Sequence, residues 1–193
     1  MKMNNRLTQI IAAAVGCFAI ATSGYAQNTE VGKMEFTGQA GIVGGIGTHA
    51  SLALSGGSAV NDRVFVLGEF SWIPLGGAST TVTTPNNFFE LASSGRIYTF
   101  MAGAHYQLNQ FRSFIPYAGG GIGLVHSSGS VTQTNNGVTT ETTFSNDDIY
   151  LSLGGGARYY VNERWGFKPE LTFFLGDESF VRVGGGVFFQ FGR

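Results

Sequence analysis

The chain has 193 residues, with 11 Lys and Arg against 12 Asp and Glu, 30 Gly, 4 Pro and a single Cys, and only 12% of its residues are charged. That balance leaves no basic field to hold nucleic acid. One cysteine cannot make an internal disulfide or a multi-cysteine metal site.

The N-terminus points to export. Lys2 and Arg6 precede an apolar run from Ile10 to Ala21, and Gly24-Tyr25-Ala26 places small residues at the two positions a signal peptidase reads. This predicts a signal peptide over residues 1–26 and a mature domain over residues 27–193. A membrane anchor is the alternative, but the run is too short and too rich in small residues to span well. Ala14-Val15-Gly16-Cys17 is a weak lipobox without the usual leucine, and a better cleavage site follows it. Cleavage would remove Cys17 and two of the 11 basic residues, leaving nine against 12 acidic ones, a net charge of −3. Beyond the signal no apolar run is long enough for a membrane helix. Yet the charge content is low for a soluble surface, which usually carries roughly a quarter to a third charged residues. A transmembrane β-barrel reconciles the two, because it spreads its lipid-facing apolarity over alternate residues.

Eight segments alternate with period two. In the first, Met34 to Gly44, Met34, Phe36, Ala40 and Ile42 oppose Glu35, Thr37 and Gln39. The second, His49 to Val60, sets Ala50, Leu52, Leu54 and Val60 against Ser51 and Ser55. The third, Val64 to Trp72, sets Val64, Val66, Phe70 and Trp72 against Glu69 and Ser71. The fourth, Arg96 to Leu108, sets Tyr98, Phe100, Ala102, Ala104, Tyr106 and Leu108 against Thr99, His105 and Gln107. The fifth, Ile115 to Val125, is glycine-rich, and its facing is ambiguous. The sixth, Ile149 to Val161, sets Ile149, Leu151, Leu153, Ala157, Tyr159 and Val161 against Ser152 and Arg158. The seventh, Trp165 to Leu175, sets Trp165, Phe167, Leu171, Phe173 and Leu175 against Lys168, Glu170 and Thr172. The eighth, Phe180 to Phe191, sets Val181, Val183, Val187, Phe189 and Phe191 against Arg182 and Gln190. Each is close to the roughly 9–11 residues that a tilted membrane strand needs.

Val60-Asn61-Asp62-Arg63-Val64 recurs as Val161-Asn162-Glu163-Arg164-Trp165, with Leu108-Asn109-Gln110 as a weaker copy. Each marks a tight turn after an even-numbered strand, and parity gives the first and last three residues. On the other rim two connections are short, Gly45 to Thr48 and Gly176 to Ser179, and two are long, Gly76 to Gly95 and Ser127 to Asp148. Short turns on one rim and long loops on the other are the bacterial outer-membrane pattern. Asn135-Asn136-Gly137 is a turn signal that would extend 127–148 above the membrane as a hairpin. Phe88-Phe89 in the other loop is either a binding element or rim packing.

A soluble barrel alternates too, with its apolar face inside. No apolar-face position carries a charge, whereas the polar face carries Glu35, Glu69, Arg158, Lys168, Glu170 and Arg182, three acids and three bases. A narrow, poorly solvated lumen must balance its charges in this way. Parity sets Arg158 opposite Lys168, with Glu170 expected to bridge them. Tyr106, Tyr159, Trp165 and Phe189 fall on the apolar face near the short-turn rim, and Trp72 and Phe173 toward the other, as two aromatic girdles. Gly119-Gly120-Gly121, Gly154-Gly155-Gly156 and Gly184-Gly185-Gly186 lie mid-strand, where they permit curvature. No helical pattern follows them, so they are not phosphate loops.

Phe114-Ile115-Pro116-Tyr117-Ala118-Gly119-Gly120-Gly121-Ile122-Gly123, the Asn-Asp-Arg turns and the aromatic-ended last strand resemble the small outer-membrane β-barrel family that includes OmpA-type and Opa-like proteins. The resemblance covers residues 33–193. It implies an all-β, eight-stranded antiparallel transmembrane barrel set among outer-membrane lipid and lipopolysaccharide. It also implies delivery by periplasmic chaperones to the barrel-assembly machinery, although here Gly192-Arg193 follow the terminal aromatic. The sequence stops with its last strand, so a peptidoglycan-binding domain is not expected.

Three functions are open to such a barrel. The first is a non-enzymatic structural or surface-interaction protein, with any ligand held by 76–95 and 127–148. The second is a narrow, porin-like passive pore. The third is a lipid A-modifying enzyme. His126 and Ser128 share a strand face and Glu141 follows, but lipid A deacylases of this fold use His-x-Ser followed by Asn on a late strand. Here Gly129 follows Ser128, and the seventh strand lacks the motif. The first function is the expected one, with no catalytic residues, cofactor or metal.

Overall fold

A computed structural model describes residues 31–84, 87–109, 111 and 114–192. The expected signal peptide lies outside the described residues, as does Gln110 of the weaker turn copy. The strands are β1 (Met34–Gly44), β2 (His49–Ala59), β3 (Val64–Thr84), β4 (Asn87–Gln107), β5 (Phe114–Asn135), β6 (Val138–Tyr160), β7 (Trp165–Leu175) and β8 (Phe180–Phe191). Each pairs antiparallel with its sequence neighbours, and β1 closes the ring on β8 from Met34↔Phe191 to Gly44↔Val181. Closure satisfies every strand edge within the ring, which lipid requires.

The registers fix the tilt. One path around the ring runs Gly38, Leu54, Phe70, Phe100, Leu124, Ile149. The other runs Gly38, Val187, Phe167, Tyr159. The two reach β6 at residues 149 and 159, a stagger of ten residues. On eight strands that stagger belongs with a tilt of roughly 35–45°.

Alternation sets the faces as the sequence predicts. Met34, Phe36, Leu54, Phe100, Leu153 and Val187 are exposed on the outside, and Glu35, Thr37, Ser55, Glu69, Thr99 and Thr172 are buried inside. β5 resolves with Ile115 and Tyr117 inward and Ala118, Ile122 and Leu124 outward. Ala157 is covered rather than lipid-exposed, paired with Pro116. The β6–β7 ladder skips from Gly156↔Glu170 to Tyr159↔Phe167 because Pro169 has no N–H to give.

The repeated turns are built alike. Asn61 Oδ1 accepts the backbone N–H groups of Arg63 and Val64 at 2.9 and 2.8 Å. Asn162 Oδ1 accepts those of Arg164 and Trp165 at 2.9 and 3.0 Å. The side chain satisfies the turn's donors, which is why Asn recurs there.

One long connection is corrected and the other extends as its turn signal implies. Gly76–Gly95 is not a loop but the upper part of β3 paired with β4 to Thr84↔Asn87, whereas Ser127–Asp148 is the hairpin expected from Asn135-Asn136-Gly137, with β5 paired to β6 as far as Asn135↔Val138. Their Thr-rich stretches suit strands, since β-branched residues pack on a pleated surface. Asn136 and Gly137 take φ of 47° and 85°, the left-handed pair of a two-residue hairpin turn. Because β2 last pairs β3 at Leu52↔Trp72 and β7 last pairs β6 at Leu151↔Leu175, strands β3 to β6 rise beyond the ring as a four-stranded sheet with two open edges.

Leu153→Arg is expected to lower refolding stability in lipid vesicles by about 2–4 kcal/mol, the range for a cation in the bilayer. Val138→Arg, at the hairpin tip, is expected to change it by less than about 0.5 kcal/mol. Urea titration of the two variants checks this, and equal losses would refute the membrane facing.

Candidate functional site in the lumen and at the outer rim

Five strands, β1, β3, β6, β7 and β8, turn their charged side chains into the lumen and bring them together. Arg158 of β6 donates to Glu35 of β1 through Nε at 2.8 Å and Nη2 at 3.3 Å. Lys168 Nζ lies 3.8 Å from Glu35 and 3.8 Å from Glu170. Glu170 meets Arg182 at 3.3 Å, and Arg182 meets Glu69 at 2.7 Å. The six form one chain of alternating sign, Arg158–Glu35–Lys168–Glu170–Arg182–Glu69, with no side chain more than 8% exposed. The expected bridge is corrected: Glu35, not Glu170, joins Arg158 to Lys168, and Glu170 joins Lys168 to Arg182. Glu35 wins because β1 faces β6 across the lumen, whereas Glu170 is held away by Tyr117 Oη at 2.6 Å and Thr172 Oγ1 at 2.9 Å.

Neutral partners finish the network. Gln190 Nε2 donates to Glu35 at 2.9 Å and to Tyr160 Oη at 3.0 Å. The Arg158 guanidinium lies 4.8 Å from the Phe65 ring and 5.0 Å from the Tyr117 ring. Arg182 lies 5.3 Å from the Phe174 ring. Toward the hairpin end, Val43, Ile73, Ile97, Tyr150, Phe174 and Phe180 close the lumen with a buried apolar cluster. Ile115, Tyr160 and Phe188 do so toward the turn end.

The inward glycines are filled by aromatic neighbours. A Cβ on Gly123 would come 2.6 Å from the ring of its partner Tyr150, and one on Gly156 would come 2.6 Å from the Oη of its partner Tyr117. His105 stacks on Tyr117 at 4.3 Å and covers Gly119. The cavity lined by His105, Tyr117, Glu170 and Thr172 measures about 20 Å³, room for about one water. Sequence reasoning did not single out Tyr117 or His105 as members of this cluster, although alternation from His105 to Gln107 set His105 inward.

On the outer surface, Trp72, Tyr106, Phe173 and Phe189 are exposed and Tyr159 and Trp165 are half-buried. Tyr98 joins the upper set, paired with Trp72 and stacked on Phe70 at 6.0 Å. Tyr98 and Tyr106 on β4 are eight residues apart, as are Trp165 and Phe173 on β7. At about 3.3 Å per residue and a tilt near 40° that spans about 20 Å.

Above the upper aromatics, His126 does share a face with Ser128, but Glu141 is not its partner. His126 Nδ1 contacts Asp147 Oδ1 at 2.6 Å, and Ser128 Oγ receives Arg96 Nε at 3.3 Å. Glu141 pairs with Thr132, further up the hairpin. Among the described residues no three His, Cys, Asp or Glu side chains gather as metal ligands.

Residues 10–184 match the family model described as outer membrane protein beta-barrel domain. The crystal structure of Ail, the attachment invasion locus protein of Yersinia pestis, aligns with a TM-score of 0.56 at 16% identity over 84% of this chain and 99% of that one. Its complex with the heparin analogue sucrose octasulfate aligns at 0.53 and 14% identity, covering 84% and 99%. A major outer membrane protein from Thermus thermophilus aligns at 0.64 and 13% identity, covering 82% and 98%. No curated protein matches the chain.

Glu35→Gln leaves both Arg158 and Lys168 short of their shared acid, so refolding stability is expected to fall by about 3–5 kcal/mol. Glu141→Gln on the exposed hairpin is expected to cost less than about 0.5 kcal/mol. Chemical denaturation in vesicles separates them.

Proposed function

The chain belongs to the outer-membrane β-barrel family, and on that footing we propose that it is a closed, non-enzymatic surface protein whose β3–β6 sheet makes its contacts outside the cell. The observation that carries this is the contrast between the two ends of the same strands. Inside the ring the six-charge chain and its aromatic lids leave a cavity of about 20 Å³ beside His105. Outside it, paired backbone continues to the hairpin tips with two open edges, which are ready templates for an added strand.

A chemical preference follows from charge. The hairpin end carries Glu90, Glu141, Asp147, Asp148, Asp177 and Glu178, and Arg96 is its only Lys or Arg among the described residues. Six carboxylates against one guanidinium favour a neutral or basic protein surface over a free polyanion, in contrast to the sucrose octasulfate held in the Ail complex. The arrangement at His126 does not support hydrolysis. Asp147 holds its Nδ1 as an orienting carboxylate would, but Ser128 is engaged by Arg96 rather than by the imidazole, so no hydroxyl is set up as a nucleophile.

Planar-bilayer recording of the refolded protein tests the closed lumen. No steady conductance is expected, and reproducible ohmic steps from the wild type would replace this reading with a pore. Exchanging residues 77–94 and 130–143 for two-residue turns is expected to leave folding intact, because the ring pairs all lie below them.

A further inference from the structure

We propose that the two open edges of the β3–β6 sheet join copies of this chain to one another, β3 of one barrel pairing with β6 of the next, so that barrels inserted side by side share one continuous sheet above the membrane. Self-pairing rests on the open-edge reading above and narrows its partner to a second copy. Direction, register and side-chain chemistry carry it.

Direction comes from the topology. Neighbouring strands are antiparallel around the ring, so odd-numbered strands rise toward the hairpins and even-numbered strands descend. The open edges belong to one of each kind, β3 and β6. Barrels inserted in the same sense therefore meet antiparallel when β3 faces β6, and parallel when β3 faces β3 or β6 faces β6. Antiparallel pairing is the more stable per residue. Each copy carries one edge of each kind, so the contact is head to tail and repeats along a row.

Register comes from the stagger. Across the sheet Thr80 stands level with Leu91, Gln133 and Thr140. A full turn of eight strands climbs ten residues, so the four strands of the sheet climb five, half of that. Half a turn is about 25 Å along the membrane, close to the width of an eight-stranded ring with its side chains, so neighbouring rings stand side by side at one height. Paired side chains must share a face, so the shift between copies is even, four or six. A shift of six would end the contact at Ile149, whose N–H is already given to Asp148 Oδ1 at 2.7 Å. A shift of four pairs Thr140 with Thr84 and runs down to Asp147 with Gly77. That uses all of Gly77–Thr84, which starts just above the slip between Pro74 and Gly76, and it stops short of Asp148.

The chemistry of the two edges agrees. Gly77–Thr84 holds no charged residue and no proline, the guards an edge strand in water ordinarily carries. Gly77 to Thr81 and Val138 to Asp147 are exposed. The register sets Thr143 beside Thr81 and Ser145 beside Ser79, hydroxyl pairs that favour a ladder. Glu141 and Asp147 fall opposite uncharged residues, whereas β6 against β6 would bring these acids together. The neutral β3 edge is thus the kind of surface that the acidic end of the molecule accepts.

Full-length Ser79→Cys and Ser145→Cys copies are coexpressed in one outer membrane and oxidised with copper phenanthroline. Cysteines bridge only when their Cα atoms lie within about 7 Å, so a disulfide dimer is expected from the mixture and not from either variant alone. Ser79 and Ser145 of one chain lie three strands apart, so a chain carrying both substitutions is expected to give a ladder of linked species rather than an internal bridge. Adding Thr81→Glu, diagonal to Glu141 across the contact, is expected to lower the dimer yield about two- to five-fold, the effect of one like-charge cross-strand pair. Heat-modified gel mobility of each variant reports that the barrel has formed. No dimer from folded copies overturns the proposal, as do equal yields from the mixture and the single variants. Hydrogen exchange on a lone barrel in a nanodisc keeps the two readings apart. Fast exchange at alternate amides of 77–84 without any dimer leaves the edges open to a different protein and sinks self-pairing alone. Protection of all those amides in the lone barrel sinks the open-edge reading itself.

Discussion

Everything in this protein follows from one demand of the hydrocarbon core: no backbone N–H or C=O can face lipid unpaired. Among the described residues no helix is long and apolar enough to cross a membrane, and the strands meet the demand by closing a sheet on itself. Closure on eight strands with a ten-residue stagger then sets the tilt, the strand length and the narrowness of the interior. The glycines answer the same demand at short range. A Cβ on Gly41 would stand 2.8 Å from the Val183 carbonyl, and one on Gly103 would stand 2.7 Å from that of Gly120. These crossings are tight because eight strands bend sharply, and Gly there keeps the ladders intact while the sheet curls.

The narrow interior creates the next problem, which is charge. Lipid expels every ionised side chain to the inner face, and the inner face has almost no water to receive it. A single buried carboxylate or guanidinium would be prohibitive, so the six must meet one another. The alternating chain does this without any pair standing alone, and each acid except Glu69 touches two cations. Such a network is weak evidence of net stabilisation. Its effect is to fix which strand faces which across the lumen, because any slip by one residue would turn these charges into lipid.

Most of the ring was legible in the sequence, because a wall with lipid on one side and packed polar groups on the other enforces a period of two. The six lumen residues were legible for the same reason. Their pairing was not, since Glu35 and Arg158 are 123 residues apart and meet across the lumen, where no ladder register reaches. The β3–β4 hairpin was misread as a loop because the hydrophobic period vanishes once both faces are wet, leaving Thr, Ser and Asn. The β5–β6 hairpin was legible from a local signal. The Asn136-Gly137 turn pairs Asn135 with Val138, and that register alone carries Tyr98's neighbour His126 to Asp147. β5 stayed ambiguous because Gly fills both its faces in mid-strand, so nothing but its neighbours tells in from out.

The same backbone demand marks where the membrane ends. β2 stops pairing β3 at Trp72, and β7 stops pairing β6 at Leu175, at the height where the outer aromatics lie. Above that line β3 and β6 keep one open edge each, which hydrocarbon forbids and water tolerates. Pro74, without an N–H, enters β3 two residues past the last β2 pair, and the register slips between Pro74 and Gly76, at the first point where a lost ladder bond is harmless. Arg96, opposite Pro74, is the first outward charge along β4. Open edges, proline, bulge and cation thus change together at one level. Open backbone is available for recognition only where lipid has stopped, which is above this level.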